Sequence, residues 1–392
     1  MDPSLRGAPL RTPSLRILFL VAEDWLFVSF RLALARELIA RGDTVAVACR
    51  VSDKAEIIQA AGVRVYSVPF ARESVSPLAV LRACAGVRGV YRQFRPGLVQ
   101  AVALRPILVG WLATIGLTRV PFVNLVTGLG SLFCGELPTW RLRVAKRSVE
   151  ALSRGAFRQK AAWNVFQNGE DHGYFLDHAL TRRARSRVIR GSGVDTGAWL
   201  PQPEPAEEPP VILYVGRLLR DKGLCELVEA SRLLRRRGLP HRLRLVGACD
   251  PCNPTSLTET EVRGWEAEGV VEWLGWREDV LRQMSEARLV VLPSYREGFP
   301  KVLLEAGVAE RAVVTCDTVG CREVVKDGYN GLLVPPRNPE ALAEALARLL
   351  ADPGLRRELS RRHRQVVCDQ FSMASVNRQF TELYREVLEP QP

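Results

Sequence analysis

Two carboxylates and two cations stand where a phosphorylated, hydroxyl-rich ligand could be held. Glu297 and Glu305 share the stretch Pro293-Ser-Tyr-Arg-Glu-Gly-Phe-Pro-Lys-Val-Leu-Leu-Glu305. It reads as the end of a buried strand (Leu289 to Leu292), a tight polar turn, and a helix. Pro300 is expected near the first helical turn, where its missing N–H has no intrahelical partner to lose. A helix N-terminus offers free N–H groups and partial positive charge, which suit a phosphate. Carboxylates beside it make poor phosphate ligands but good acceptors for sugar hydroxyls. An ordinary turn with two solvated glutamates has the same pattern, so this stretch alone leaves both readings open.

The cations lie in Gly216-Arg-Leu-Leu-Arg-Asp-Lys-Gly223, between the strand Val211 to Val215 and the helix Leu224 to Arg237. Ligands of open α/β sheets bind at the carboxyl ends of strands. Arg217 supplies a bidentate fork for phosphate and Lys222 a mobile point charge. Together they could neutralise a diphosphate without a metal ion. The alternative is a basic turn closed by glycine. It is not a P-loop, because the Gly-x4-Gly-Lys-Ser/Thr spacing is absent.

The elements that would position these residues alternate along the whole chain. In the first half, apolar strands are expected at Arg16–Val21, Thr44–Ala48, Val63–Val68, Leu98–Ala103, Phe122–Val126 and Trp163–Gln167. Helical stretches such as Arg31–Arg41 lie between most of them. The run Pro-Gln-Pro-Glu-Pro-Ala-Glu-Glu-Pro-Pro at 201–210 is a stiff acidic linker. Alternation then restarts, with strands at Val211–Val215, Leu243–Val246, Val270–Leu274, Leu289–Leu292, Ala312–Thr315 and Leu332–Val334. From Pro339 onward the pattern is helical. Continuous apolar strands between helices predict parallel, doubly wound sheets covered on both faces.

At 392 residues the chain suggests two domains. A hydrophobic fraction of 47% and a charged fraction of 25% are those of a globular protein. Residues 1–14 are polar, with no apolar signal core, and no run is long and apolar enough to span a bilayer. Nine cysteines without a paired framework predict reduced thiols in a cytoplasmic protein. Cys249 and Cys252 have metal-like spacing, but no second pair completes four ligands, so no metal and no cofactor are expected.

The net charge of +12 is unevenly placed. Residues 1–199 hold 28 basic and 14 acidic residues; the remainder holds 27 and 29. The basic half predicts attraction to an anionic membrane surface. Nucleic acid is not expected, since no recognition signature accompanies the charge. Between Arg141 and Lys160, Leu142, Ala145, Val149, Leu152 and Ala156 share one helix face. Arg143, Lys146, Arg147, Arg154 and Arg158 surround it. A buried stripe with a solvated basic rim stands slightly ahead of direct membrane insertion.

Other chemistries find little support. The first strand runs into Val21-Ala-Glu-Asp-Trp25, without glycines for a dinucleotide pyrophosphate. Thr127-Gly-Leu-Gly130 lacks a third glycine. The four histidines, at 172, 178, 241 and 363, lie outside any nucleophile motif.

Taken in order, several motifs resemble the retaining family-4 glycosyltransferases of GT-B fold (glycosyl transferases group 1). They are Gly-Arg-Leu-x3-Lys-Gly, Trp273-Leu-Gly-Trp276, Pro-Ser-Tyr-Arg-Glu-Gly-Phe-Pro-x4-Glu, Gly320-Cys-Arg-Glu323 and Asn330-Gly-Leu-Leu-Val-Pro335. In the first half, Glu23-Asp-Trp25 with Ser29 and Arg31-Leu32, Val126-Thr-Gly-Leu-Gly130 with Phe133, and Gly191-Ser-Gly-Val-Asp195 resemble the branch that builds bacterial surface polysaccharides. The likeness runs from about residue 16 to 388.

The resemblance implies two Rossmann-like doubly wound α/β domains facing a central cleft. Residues 1–200 would bind the acceptor, 201–210 form the linker and 211–375 bind the nucleotide sugar. Residues 376–392 would form a helix returning to the first domain. It implies catalytic roles for Glu297, Arg217 and Lys222, the two cations holding a donor diphosphate. Gly216, Trp276, Gly298, Phe299 and Glu305 would complete the donor site, with Glu297 at sugar hydroxyls and Glu305 at the ribose. The donor would be a UDP-sugar ahead of a GDP-sugar, and the acceptor a lipid-linked saccharide met at the inner face of the plasma membrane.

Two departures qualify this. Relatives often carry His where Phe30 and, nearby, Gln100 stand, and Asp24 is the substitute acceptor contact, with Gly128 and Gly130 beside it. At Gly307-Val-Ala-Glu-Arg-Ala312 the family's usual Gly and Pro are replaced by Glu310 and Ala312. The competing readings are a catalytically impaired nucleotide-sugar-binding scaffold and a GT-B epimerase acting on the nucleotide sugar itself.

Overall fold

The computed structural model describes residues 14–70, 76–117, 120–128, 140–197 and 200–389, and for 140–148 the backbone alone. Chain contacts group it into two compact units. One comprises Met1–Val165, Phe175–Arg187 and Glu382–Pro392; the other comprises Phe166–Tyr174 and Val188–Thr381.

The first sheet has seven strands: β1 (Arg16–Glu23), β2 (Thr44–Arg50), β3 (Arg64–Ser67), β4 (Leu98–Val102), β5 (Phe122–Val126), β6 (Ala162–Phe166) and β7 (Ser186–Val188). Their order is β3-β2-β1-β4-β5-β6-β7. Ile17, Leu18, Phe19 and Leu20 are fully buried, as an apolar strand covered on both faces requires. The short β7 was not expected, since Ser186–Val188 carries an arginine at its centre.

The second sheet has six: β8 (Val211–Val215), β9 (Arg242–Val246), β10 (Glu272–Trp273), β11 (Leu289–Leu292), β12 (Ala312–Cys316) and β13 (Leu332–Val334). Their order is β10-β9-β8-β11-β12-β13, and every pairing of this sheet is parallel. Strand order reverses between β8 and β11, so loops leaving these neighbours diverge to opposite faces and open a crevice. The core beneath is continuous, from Ile212 and Leu213 through Val290, Val291, Val313 and Val314 to Leu342 and Leu346.

Pro300 is the N-cap of the helix Lys301–Val308, next to its first turn as expected. One local expectation is corrected. In the helix Trp140–Arg158, Leu152 is 40% exposed, while Ser153, Ala156 and Phe157 are buried. The stripe is therefore rotated from the one expected. Gly155 sets that rotation, because a Cβ there would lie 2.4 Å from the Trp111 ring. The side chains of Leu142, Arg143, Ala145, Lys146 and Arg147 lie outside the described residues.

Candidate functional site

The loop Gly216–Gly223 leaves β8 and the turn after Leu292 leaves β11, so both arise at the reversal of strand order. They are joined by backbone as well as by charge. The Tyr295 N–H donates to the Asp221 carbonyl at 2.9 Å. Gly223 has φ +71°, and a Cβ there would sit 2.1 Å from the Pro293 carbonyl oxygen. Only glycine allows the two segments to approach so closely.

Within this junction Lys222 Nζ donates to Glu297 Oε1 at 2.5 Å, both side chains being largely buried. The structure thus brings together the two residues the sequence placed 75 positions apart. Arg217 is half-exposed and donates from Nη1 to Asp250 Oδ2 at 3.0 Å. Its own carbonyl accepts the Tyr214 hydroxyl at 2.8 Å. Asp250 is buried, its N–H bonded to Ser256 Oγ, and its loop pairs with the cation loop through Arg220 N–H to Thr255 O and Leu257 N–H to Leu218 O.

The turn itself is pinned on its far side. The Glu297 N–H reaches the Val319 carbonyl at 3.1 Å. Gly320, at φ +81°, would place a Cβ 2.5 Å from the Glu297 oxygen and 2.7 Å from that of Gly298. The expected Gly320-Cys-Arg-Glu323 motif is therefore a backbone seat for Glu297. Beside it, burial pushes the Cys321 thiol up to about 12, with the Glu297 charge adding and the Lys222 charge opposing. That thiol stays protonated and unreactive at neutral pH.

Among the described residues, the N–H groups of Gly298 and Phe299 have no partner within the protein. Glu305 lies within the helix after the turn, 3.2 Å from Lys301, with its carboxylate mostly buried. Burial raises its affinity for a proton, against the charge and hydrogen bond of Lys301. Trp276 is 63% exposed, beyond β10, where Gly275 O accepts the N–H of Gly247 at the end of β9. Gly216 follows β8 directly, its N–H bonded to the Val246 carbonyl.

The residues expected on the acceptor side belong to the first unit. Asp24 is buried at the start of a helix, Asp24–Phe30. Its carboxylate accepts from Ser52 N–H and Oγ, both at 2.6 Å, from Trp25 N–H at 2.8 Å and from Lys54 N–H at 3.1 Å. Burial would raise this carboxyl, but the bonds from Ser52, Lys54 and Trp25 outweigh it and hold it below its usual range. Asp24 thereby fastens β1 to the loop after β2 and is enclosed while doing so. Gly128 follows β5 at φ +148°; Gly130 and Phe133 lie outside the described residues.

Gln100, in the middle of β4, is wholly buried and accepts a hydrogen bond from the Tyr384 hydroxyl. Phe30 ends its helix 36% exposed. Among the described residues no cluster of His, Cys, Asp and Glu could hold a metal.

Sequence reasoning missed Asp250, Asn168, Asp171 and Arg296. Asp250 carried one usable signal, a carboxylate four residues past an adjacent strand end. Asn168-Gly-Glu-Asp171 reads as a helix N-cap with acids in the first turn, but nothing linear ties it to residues 296–298.

A parallel sheet carrying paired cations and carboxylates at its switch point is suited to hold an anionic, hydroxyl-bearing ligand. Residues 209–352 match the family described as glycosyl transferases group 1, and residues 29–165 match the glycosyl transferase 4-like domain. The stretch 209–352 belongs to the group 1 glycosyltransferases, and the protein is a glycosyltransferase. It is 26% identical over 387 residues to the N,N'-diacetylbacillosaminyl-diphospho-undecaprenol alpha-1,3-N-acetylgalactosaminyltransferase of Campylobacter jejuni, covering 95% of this chain and 99% of that one.

Among solved structures, a sucrose-phosphate synthase from Thermosynechococcus elongatus superposes with a TM-score of 0.78 at 21% identity, over 95% of this chain and 99% of that one. Anabaena HepE in complex with UDP-glucose gives 0.75 at 20% identity, over 95% and 100%. These two share the fold. Two parallel-sheet α/β domains agree with the GT-B fold.

Proposed function

We propose that the protein is a retaining glycosyltransferase that moves a sugar from a nucleotide sugar, a UDP-sugar ahead of a GDP-sugar, to a lipid-linked or saccharide acceptor in bacterial polysaccharide assembly. The observation that carries this is the Lys222–Glu297 pair at the β8–β11 switch point, with Arg217 on the same loop. Two cations suit a diphosphate leaving group, and a carboxylate beside them suits the hydroxyls of the sugar it carries. Support for the donor comes from the UDP-glucose complex of Anabaena HepE, and for a lipid-linked acceptor from the Campylobacter jejuni relative's name.

In this reading the bond between the anomeric carbon and the diphosphate oxygen breaks as the acceptor oxygen bonds to that carbon. The acceptor proton passes to the departing phosphate oxygen, so no side-chain base is required. Negative charge growing on the leaving group is met by Arg217 and Lys222 without reorganisation. They supply the charge that a divalent metal would otherwise bring, which is why the reaction is proposed to be metal-independent. Glu297 holds sugar hydroxyls, Glu305 the ribose, Gly298 and Phe299 offer their amides, and Trp276 lies toward the base beside Gly216.

The first domain is proposed to receive the acceptor, with residues 376–392 completing it and Gly128 and Gly130 near the acceptor. Its basic surplus would hold the protein on the inner face of the plasma membrane. Exposed Leu152 beside Arg154, Arg158 and Lys160 suits such a surface. No helix of the described residues is long and apolar enough to cross a membrane. The competing scaffold reading rests on the resemblance, in which relatives often carry His where Phe30 stands and again near Gln100.

Labelled nucleotide sugars incubated with the protein and an undecaprenyl-diphosphate saccharide separate the readings. Label on the lipid is the expected result. Interconverted nucleotide sugar would indicate an epimerase, and binding without turnover a scaffold.

A further inference from the structure

We propose that Asn168 and Asp171 are positioning residues for Glu297, acting on it through the backbone and side chain of its two neighbours. The inference rests on the reading of Glu297 as a donor-sugar contact and adds residues far from it in sequence. Phe166–Tyr174 belongs to the same compact unit as the turn, although it precedes the acidic linker.

Asn168 is wholly buried and Asp171 1% exposed. Asn168 Oδ1 accepts the Asp171 N–H at 2.7 Å, while its Nδ2 donates to Asp171 Oδ2 at 2.9 Å and to the Gly298 carbonyl at 3.1 Å. This set defines the amide's orientation, because a flipped group would set its oxygen against two acceptors and its NH2 against a donor. The other Asp171 oxygen, Oδ1, accepts from Arg296 Nη2 at 2.6 Å. Residues 296 and 298 are thus gripped from one side, and the Glu297 N–H is taken by Val319. Between these anchors the Glu297 side chain reaches Lys222.

The clamp is itself braced. Glu323 Oε1 accepts the Gly169 N–H at 2.9 Å and its Oε2 accepts Arg190 Nε at 2.7 Å. Apolar packing could hold such a turn in place, yet it would not fix the direction of a carbonyl or the angle of a carboxylate. Hydrogen bonds from buried, fully committed groups do both.

Asn168→Ala should lower turnover about tenfold, close to the effect of Glu297→Gln, and leave the melting temperature within a few degrees. In a Glu297→Gln background the same change should cost less than about twofold, since the carboxylate it serves is gone. Losses that multiply to about a hundredfold would overturn the proposal. Should Asn168→Ala fail to fold, Arg296→Lys at the half-exposed end of the clamp serves instead. A smaller fall, again absent in the Glu297→Gln background, is expected; a fall that persists there would overturn it.

Hydrogen exchange supplies a readout that needs no activity. The peptide covering 293–300 should exchange faster in Asn168→Ala while the β11 peptide does not, and unchanged exchange would sink the clamp. Wild-type protein that transfers no sugar from any donor would instead refute the functional reading.

Discussion

Lys222 Nζ and Glu297 Oε1 lie 2.5 Å apart, each on the loop that follows one of two adjacent strands, β8 and β11. Opposite charges held largely out of water at this distance interact more strongly than an exposed pair, and each keeps the other soluble in the protein interior. A sugar phosphate that engages both must exchange this pair for contacts of its own. Glu297→Gln keeps the shape and removes the charge. Turnover should fall at least about tenfold, the scale of 1.4 kcal/mol or more for one charged hydrogen bond. Steady-state kinetics with the best donor provide the check, and unchanged values would refute the assigned role.

Arg217 and Asp250 make a more exposed pair, with the guanidinium half in solvent. Such pairs contribute about 0.2–1 kcal/mol. Asp250→Asn should therefore raise the donor KM by no more than about fivefold. Arg217→Lys removes the planar fork itself, and a fall of about tenfold or more in kcat/KM is expected. Equal effects from the two substitutions would show that Asp250, not phosphate geometry, accounts for Arg217.

Gly320 offers a steric test. A Cβ at φ +81° would meet the Glu297 and Gly298 carbonyl oxygens, so Gly320→Ala must displace the turn. A destabilisation of about 2–3 kcal/mol is expected, with activity falling further than stability. Denaturant unfolding and kinetics on the same sample measure both; a neutral substitution would mean the turn is not seated there.

His363 sets a pH dependence. Its Nε2 bonds the Leu303 carbonyl and its Nδ1 meets Asn330 Nδ2, deep in the second unit. Burial lowers its affinity for a proton from an ordinary 6.5 to about 4, against the Leu303 bond. Below pH 6.5 the unfolded chain binds a proton that the folded protein refuses. Stability should thus fall as pH drops from 6.5 toward 4, by about 3 kcal/mol at most. His363→Gln should flatten that slope in denaturant titrations; parallel curves would contradict the assignment.

Binding to vesicles containing anionic lipid should weaken as salt rises, because screening shortens to about 10 Å at 0.1 M. Co-sedimentation across ionic strength measures this. Absence of binding at every salt concentration would count against the membrane proposal.

The reason so much of the second domain could be read from its residues is that its signals are local. Leu289–Leu292 is uninterrupted and apolar, Gly223 and Gly320 mark turns, and Lys222 and Glu297 each sit one loop beyond a strand. Strand β11 falls where expected, and Val211–Val215, Phe122–Val126 and Leu332–Val334 have the expected limits. Leu152 failed because helix rotation is set by what the helix packs on, here Trp111 against Gly155. The internal donors around Asp24 were not legible, because an acid after a strand looks alike whether it faces a ligand or its own backbone.

From the residues alone came the alternation that makes two parallel α/β domains, and the cations and carboxylates at the strand ends. These follow from periodicity and residue chemistry over short stretches. Which side chains meet was decided only in three dimensions. Lys222 finds Glu297, Arg217 finds Asp250, and Asn168 and Asp171 grip residues 296 and 298 across more than a hundred positions of chain. Strand order and loop direction bring such pairs together, and neither is written in the spacing of any single motif.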